Sequence, residues 1–116
     1  IEVMAKEAIG NKLLTIWGKG TRQMQYVFME DVVKCVLGIM DLKPGIYNLG
    51  GNQYDTVMST GKYIAEYFKV KTKNLLDKSE GETLPPMINE KLTQALNGYE
   101  FKDHNSALSQ YLSDIS

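Results

Sequence analysis

Residues 13–32 read Leu13-Leu14-Thr15-Ile16-Trp17-Gly18-Lys19-Gly20-Thr21-Arg22-Gln23-Met24-Gln25-Tyr26-Val27-Phe28-Met29-Glu30-Asp31-Val32. Leu13 to Trp17 is a short apolar run with a β-branched pair, which predicts a buried strand. The two glycines of Gly18-Lys19-Gly20-Thr21 tolerate positive φ and predict a turn. Met24 to Met29, with Tyr26, Val27 and Phe28, predicts a second strand. Glu30-Asp31 then opens a helix. Asp31 is expected to cap its free N–H groups, and acidic charge suits the positive end of the dipole. Val32, Val33, Val36, Leu37 and Met40 form its apolar face until Pro44-Gly45 breaks it.

Upstream, Glu2 to Gly10 predicts a helix stopped by Gly10-Asn11. Downstream, Ile46 to Leu49 predicts a short strand ending at Gly50-Gly51. Thr56 is a good cap for a helix containing Val57, Ile64, Ala65 and Phe68, with Gly61 weakening its centre by about 1 kcal/mol relative to Ala. Lys69 to Met87 is polar and reads as a loop or strand-poor connector. Two short helices follow, near Asn89 to Leu96 and Ser106 to Ile115. Helices mixed with a few short strands make the fold class α+β, and three such strands form a poor independent sheet.

The chain has 116 residues, 43% hydrophobic and 23% charged, with a formal net charge of -1. These values describe one modest globular domain or less, and they give no electrostatic footprint for nucleic acid or an anionic membrane. No apolar run approaches the ~20 residues that span a bilayer. The single cysteine, Cys35, excludes an internal disulfide and reads as a small buried hydrophobe. With one histidine, His104, and no ligand spacing, no metal site is expected. The chain opens at Ile1, mid-pattern and without an initiator Met, and is expected to be a fragment.

Four features invite a catalytic or ligand reading. Tyr67-x-x-x-Lys71 resembles the Tyr-x-x-x-Lys pattern of the short-chain dehydrogenases, and that resemblance would imply a Lys that lowers the pKa of a Tyr acid–base. It falls at a helix end within a basic run, and a solvated helix end is the preferred reading. Gly18-Lys19-Gly20 resembles an anion-binding turn, but it lacks the third glycine of a dinucleotide fingerprint and joins two strands. Trp17, the only tryptophan, reads as core, with stacking on a planar ligand as the alternative. Glu30 and Asp31 are adjacent carboxylates that point in different directions, so capping is favoured over catalysis.

Three stretches together resemble the later half of the extended short-chain dehydrogenases, the nucleoside-diphosphate-sugar epimerase/dehydratase family. They are Ile16 to Val32, Tyr47-Asn48-Leu49-Gly50, and Leu92 to Tyr99, the last containing Asn97-Gly98-Tyr99. That family shows a Gly-Asp-Gly turn, a strand ending in an acidic pair before a helix, a Tyr-Asn-hydrophobic-Gly strand, and a late Leu-Gly-aromatic element. The resemblance covers nearly the whole chain.

The resemblance implies that residues 1–116 are a single substrate-binding C-terminal domain or fragment of an NAD(P)-binding, Rossmann-type enzyme. NAD or NADP is then expected in the intact protein, bound mainly by an N-terminal Rossmann domain absent here, with no cofactor in this chain. It implies a nucleotide-sugar substrate whose base meets Trp17, with Thr15 beside it. The family's first diphosphate-binding Arg position holds Met24 here, with Arg22 one pleat away on the same face. The second falls near Ser79, flanked by Lys78 and the acidic loop that ends in Glu82. Expected substrate-binding residues are therefore Thr15, Trp17, Arg22, Met24, Lys78 and Glu82; no catalytic residue is expected. A homo-oligomer and a cytoplasmic location are expected too. The departures at both arginines keep two alternatives open: a non-catalytic binding or interaction module of the same fold, and a reductase of a non-phosphorylated carbonyl substrate.

Overall fold

In the computed structural model, which describes residues 1–116, the elements run α1 (Glu2–Asn11), β1 (Leu13–Trp17), β2 (Gln23–Tyr26), α2 (Met29–Ile39) and β3 (Gln53–Thr56). They continue with α3 (Val57–Phe68), β4 (Lys71–Leu75), α4 (Glu90–Ala95) and α5 (His104–Ile115). The class is α+β. Two compact units share these elements: Ile1–Met24, Asp55–Leu84 and Leu108–Ser116 form the first, Gln25–Tyr54 and Pro85–Ala107 the second.

In the first unit β1 pairs in parallel with β4, Leu13 opposite Lys71 through Trp17 opposite Leu75. Strand alternation sends Leu14 and Ile16 into the core, where they meet Ala5 and Ala8 of α1, Ile64 and Ala65 of α3, and Leu108 and Leu112 of α5. Leu14, Ile16, Ile64 and Leu112 are fully buried. The turn after β1 has positive φ at Gly18 and Gly20, as its composition predicts. A Cβ at Gly20 would lie 2.8 Å from the Met58 Cβ and 2.9 Å from the Ile16 Cγ2, so the second glycine is also required for space. Thr56 caps α3, its hydroxyl accepting from the Ser59 N–H at 3.1 Å.

β4 corrects the expectation of a strand-poor connector at 69–87. Its first three residues are exposed, so Lys71-Thr72-Lys73 carries no hydrophobic signature. Its role is to pair the backbone of β1, a need that local sequence does not display. The same strand removes the Tyr67-x-x-x-Lys71 pair from a common helix. Lys69 ends α3 in the left-handed region, and Lys71 lies on β4.

Three further boundaries differ from expectation. The strand predicted to reach Met29 stops at Tyr26, because Phe28 becomes the first flanking residue of α2 and its carbonyl accepts from the Val32 N–H. Ile46 to Leu49 is not a strand. Ile46 is 83% exposed, and its carbonyl accepts from the Lys91 ammonium at 2.8 Å instead of joining a ladder. The strand lies later, at Gln53–Thr56, and pairs with β2 in a two-stranded sheet. The division between the units falls within both of those strands.

Asp31 does not cap α2. It is 4% exposed and accepts from the Tyr99 hydroxyl at 2.6 Å and from the Lys102 N–H at 3.2 Å. Burial, reinforced by that carboxylate, raises the Tyr99 pKa well above the ordinary phenol value. Cys35, one turn along α2, is buried as expected, and burial raises its thiol pKa. The apolar residues Met29, Val33, Val36 and Leu37 of the same helix, and Met40 at its C-terminal end, are exposed.

Candidate functional site

All six expected substrate-binding residues lie in the first unit. Period-two alternation along β1 places Thr15 and Trp17 on the face opposite Leu14 and Ile16. Trp17 ends the strand and is 56% exposed, which corrects its reading as a core residue. Opposite it, the Leu75 carbonyl accepts both the Gly18 N–H at 2.9 Å and the Lys78 N–H at 3.0 Å. The Asn74 amide donates to the Gly18 carbonyl at 2.9 Å. These bonds fold the chain after β4 back toward Trp17. The Lys78 Nζ stands 5.9 Å from the indole centroid, within cation–π range.

Thr15 is engaged within the fold. Its hydroxyl donates to the Glu7 carboxylate of α1, with oxygens at 2.9 and 3.0 Å, and its N–H donates to the same group at 3.2 Å. A hydroxyl so held can present its lone pairs, but its proton is already committed.

Arg22 enters the loop that carries Glu80 and Glu82. Its Nε donates to the Glu82 carbonyl at 3.0 Å and its Nη1 to the Glu80 carbonyl at 3.3 Å. In return the Glu80 carboxylate accepts the Arg22 N–H at 2.9 Å and the Thr21 hydroxyl at 3.1 Å. The Gln23 N–H donates to the Thr83 hydroxyl at 3.0 Å. Two glycines make this approach possible. A Cβ at Gly18 would fall 2.5 Å from the Glu80 Cγ, and Gly81 has φ +80° facing the Arg22 guanidinium. Bonding from the Arg22 N–H, then from Thr21, holds the Glu80 carboxyl below its ordinary pKa.

Trp17 with Lys78, and Arg22 with the Glu82 backbone, are thus brought together. The Glu82 side chain is exposed, and the half-buried Met24 brings no charge. Glu80, Thr21, Thr83 and Asn74 were not legible as site residues. Their bonds join positions 56 to 60 apart in sequence, a separation at which no local spacing rule applies. An exposed indole beside an ammonium can stack a planar π-system and attract an anion. No group of three or more His, Cys, Asp or Glu side chains is placed to hold a metal ion. No helix is long and apolar enough to cross a membrane.

No protein-family profile matches the chain, and no curated protein matches it in sequence. Solved structures do match its fold. Against ADP-L-glycero-D-manno-heptose-6-epimerase of Helicobacter pylori the TM-score is 0.85 at 22% identity, covering 97% of this chain and 36% of that one. Against dTDP-glucose 4,6-dehydratase of Bacillus anthracis, in complex with NAD, it is 0.79 at 17% identity, covering 96% and 37%. UDP-glucuronic acid 4-epimerase of Bacillus cereus, in complex with UDP-glucuronic acid and NAD, gives 0.76 at 16% identity, covering 97% and 39%. The chain therefore spans well under half the length of these proteins. It shares the fold of a part of each of these three structures, in keeping with the sequence resemblance.

Proposed function

We propose that the chain is the substrate-holding, C-terminal part of an NAD(P)-dependent nucleoside-diphosphate-sugar epimerase or dehydratase. The observation that carries this reading is the exposed Trp17 indole at the end of β1 with the Lys78 ammonium beside it. In this reading a nucleobase stacks on Trp17, Lys78 faces the phosphates as a point charge, and Thr15 and Glu82 border the ligand. Three matched structures are named for enzymes acting on ADP-, dTDP- or UDP-linked sugars, which supports the same ligand class.

The residues of this chain do not fit a dinucleotide cofactor. The glycine turn joins two strands, and the first N–H groups of α3 are spent on the Arg22 and Gly20 carbonyls. Tyr67 and Lys71 lie on different elements. The cofactor, and the acid–base residue that would work with it, belong in this reading to an N-terminal Rossmann domain. The chain then supplies binding and orientation, without a catalytic residue of its own. That domain is its first partner, with a homo-oligomer as the second, and the protein is cytoplasmic.

Titration with UDP- and dTDP-sugars tests the reading. Saturable binding supports it, and none at millimolar ligand overturns it. A second reading, a reductase of a non-phosphorylated carbonyl compound or a non-catalytic binding module, is favoured by Arg22. Two of the guanidinium's donor nitrogens already serve backbone carbonyls, and Met24 adds no replacement charge.

A further inference from the structure

The sequence resemblance places Glu80 only within the acidic loop, yet its side chain ties that loop to the segment that follows Trp17. Its carboxylate takes the Arg22 N–H and the Thr21 hydroxyl, both from the segment immediately after the Trp17 turn. The Arg22 side chain returns two bonds to the carbonyls of residues 80 and 82. Thr83 extends the contact to Gln23. The two segments are therefore clasped in both directions, with side chains of each bonding the backbone of the other. Lys78 stands two residues before this clasp and three after β4. It is tethered on one side by its N–H to the Leu75 carbonyl and on the other by Glu80.

We propose that Glu80 is a positioning residue: by clasping residues 79–83 to Thr21-Arg22 it holds the Lys78 ammonium beside the Trp17 ring. The inference deepens the nucleotide reading and rests on it for the identity of the ligand. A Lys side chain is rich in rotamers, so a free loop would leave the ammonium dispersed in solvent. Holding the backbone on both sides of Lys78 reduces the freedom lost when an anion binds. The clasp also assigns Arg22 a different task from the phosphate contact expected of it. It is the loop's anchor, and Lys78 is the cation left to meet the ligand. The Arg22 guanidinium bonds the Glu80 carbonyl, and the Glu80 carboxylate is held further by the backbone N–H groups of Arg22, Thr21 and Lys19.

Trp17 is the single tryptophan, so its fluorescence reports on this place alone. Quenching by iodide, relative to neutral acrylamide, reads the positive charge near the ring. Lys78→Gln should lower that ratio, Glu80→Ala should lower it to the same level, and Glu80→Gln, which keeps an acceptor oxygen, should restore most of it. UDP affinity should fall by about two- to five-fold in both Lys78→Gln and Glu80→Ala, the scale of one exposed ion contact. A Glu80→Ala ratio equal to the unsubstituted chain's, with an intact far-ultraviolet circular dichroism spectrum, overturns the proposal. So does an unchanged ratio in Lys78→Gln. The predicted quenching pattern without UDP binding leaves the clasp standing and overturns the nucleotide reading instead.

Discussion

The Tyr99 hydroxyl donates to the Asp31 carboxylate at 2.6 Å, and the Lys102 N–H, from the same segment after the Asn97-Gly98 turn, donates to the same group at 3.2 Å. A carboxylate at the start of a helix ordinarily faces outward and caps. Here it is turned inward and satisfied by two donors, one of them a phenol. Removing the phenol leaves a buried carboxylate short of a partner.

Tyr99→Phe should therefore destabilise the chain by about 1.5–3 kcal/mol, the range for a hydrogen bond to a charged group. Urea unfolding should show a lower midpoint with an unchanged slope. The pH dependence has a defined sign. The folded-state pKa of Tyr99 is raised, so its contribution is fully present below the ordinary value of 10.0 and is lost as pH rises through the folded value. Tyr99→Phe should lack that alkaline loss.

Glu80 gives the opposite sign at the acid end. Its folded-state pKa lies below the ordinary 4.5, so its contribution is present above that value and is lost as pH falls through the folded one. Stability curves of the unsubstituted chain and Glu80→Gln should converge on acidification below pH 4.5. Curves that run parallel through that range would show that the carboxylate charge has no part in the clasp.

Gly61 is a test of packing against propensity. In an exposed helix Gly→Ala gains about 1 kcal/mol. In α3 the added Cβ would meet the Ile16 Cδ1 at 3.0 Å and the Leu14 Cδ2 at 3.4 Å, between two fully buried side chains. Overpacking of such a core costs about 1–3 kcal/mol. Gly61→Ala should thus lower the thermal midpoint, and a raised midpoint would mean that the strand and helix separate easily.

Met29, Val33, Val36 and Leu37 of α2, with Met40 at its C-terminal end, lie at helical spacing and are all exposed. In the proposed parent protein a further domain covers this stripe. By itself the chain should associate through it at high concentration, and Leu37→Lys should shift the light-scattering mass toward the monomer. A monodisperse monomer before substitution would contradict this.

Much of the fold was legible where local chemistry decides it. The β1 apolar run, the Gly18 and Gly20 turn, and the Thr56 cap each follow from neighbours in sequence. Where a distant partner decides, legibility failed. The β4 strand exists to pair β1, Asp31 turns inward because Tyr99 waits 68 residues away, and Ile46 gives up its strand to Lys91. The site followed the same division. Trp17 was singled out by its place at a strand end, but its exposure, and the clasp between Glu80 and Arg22, depend on a loop nearly sixty residues on.

In the proposed function the base of a nucleotide-linked sugar rests on Trp17. Calorimetric titration of the chain with a UDP-sugar, before and after Trp17→Ala, tests it most directly. Base–aromatic stacking is worth about 1–3 kcal/mol, so binding should be saturable and should weaken by roughly 5- to 150-fold in the variant. Binding that is absent at millimolar ligand, or equally strong without the indole, would contradict it.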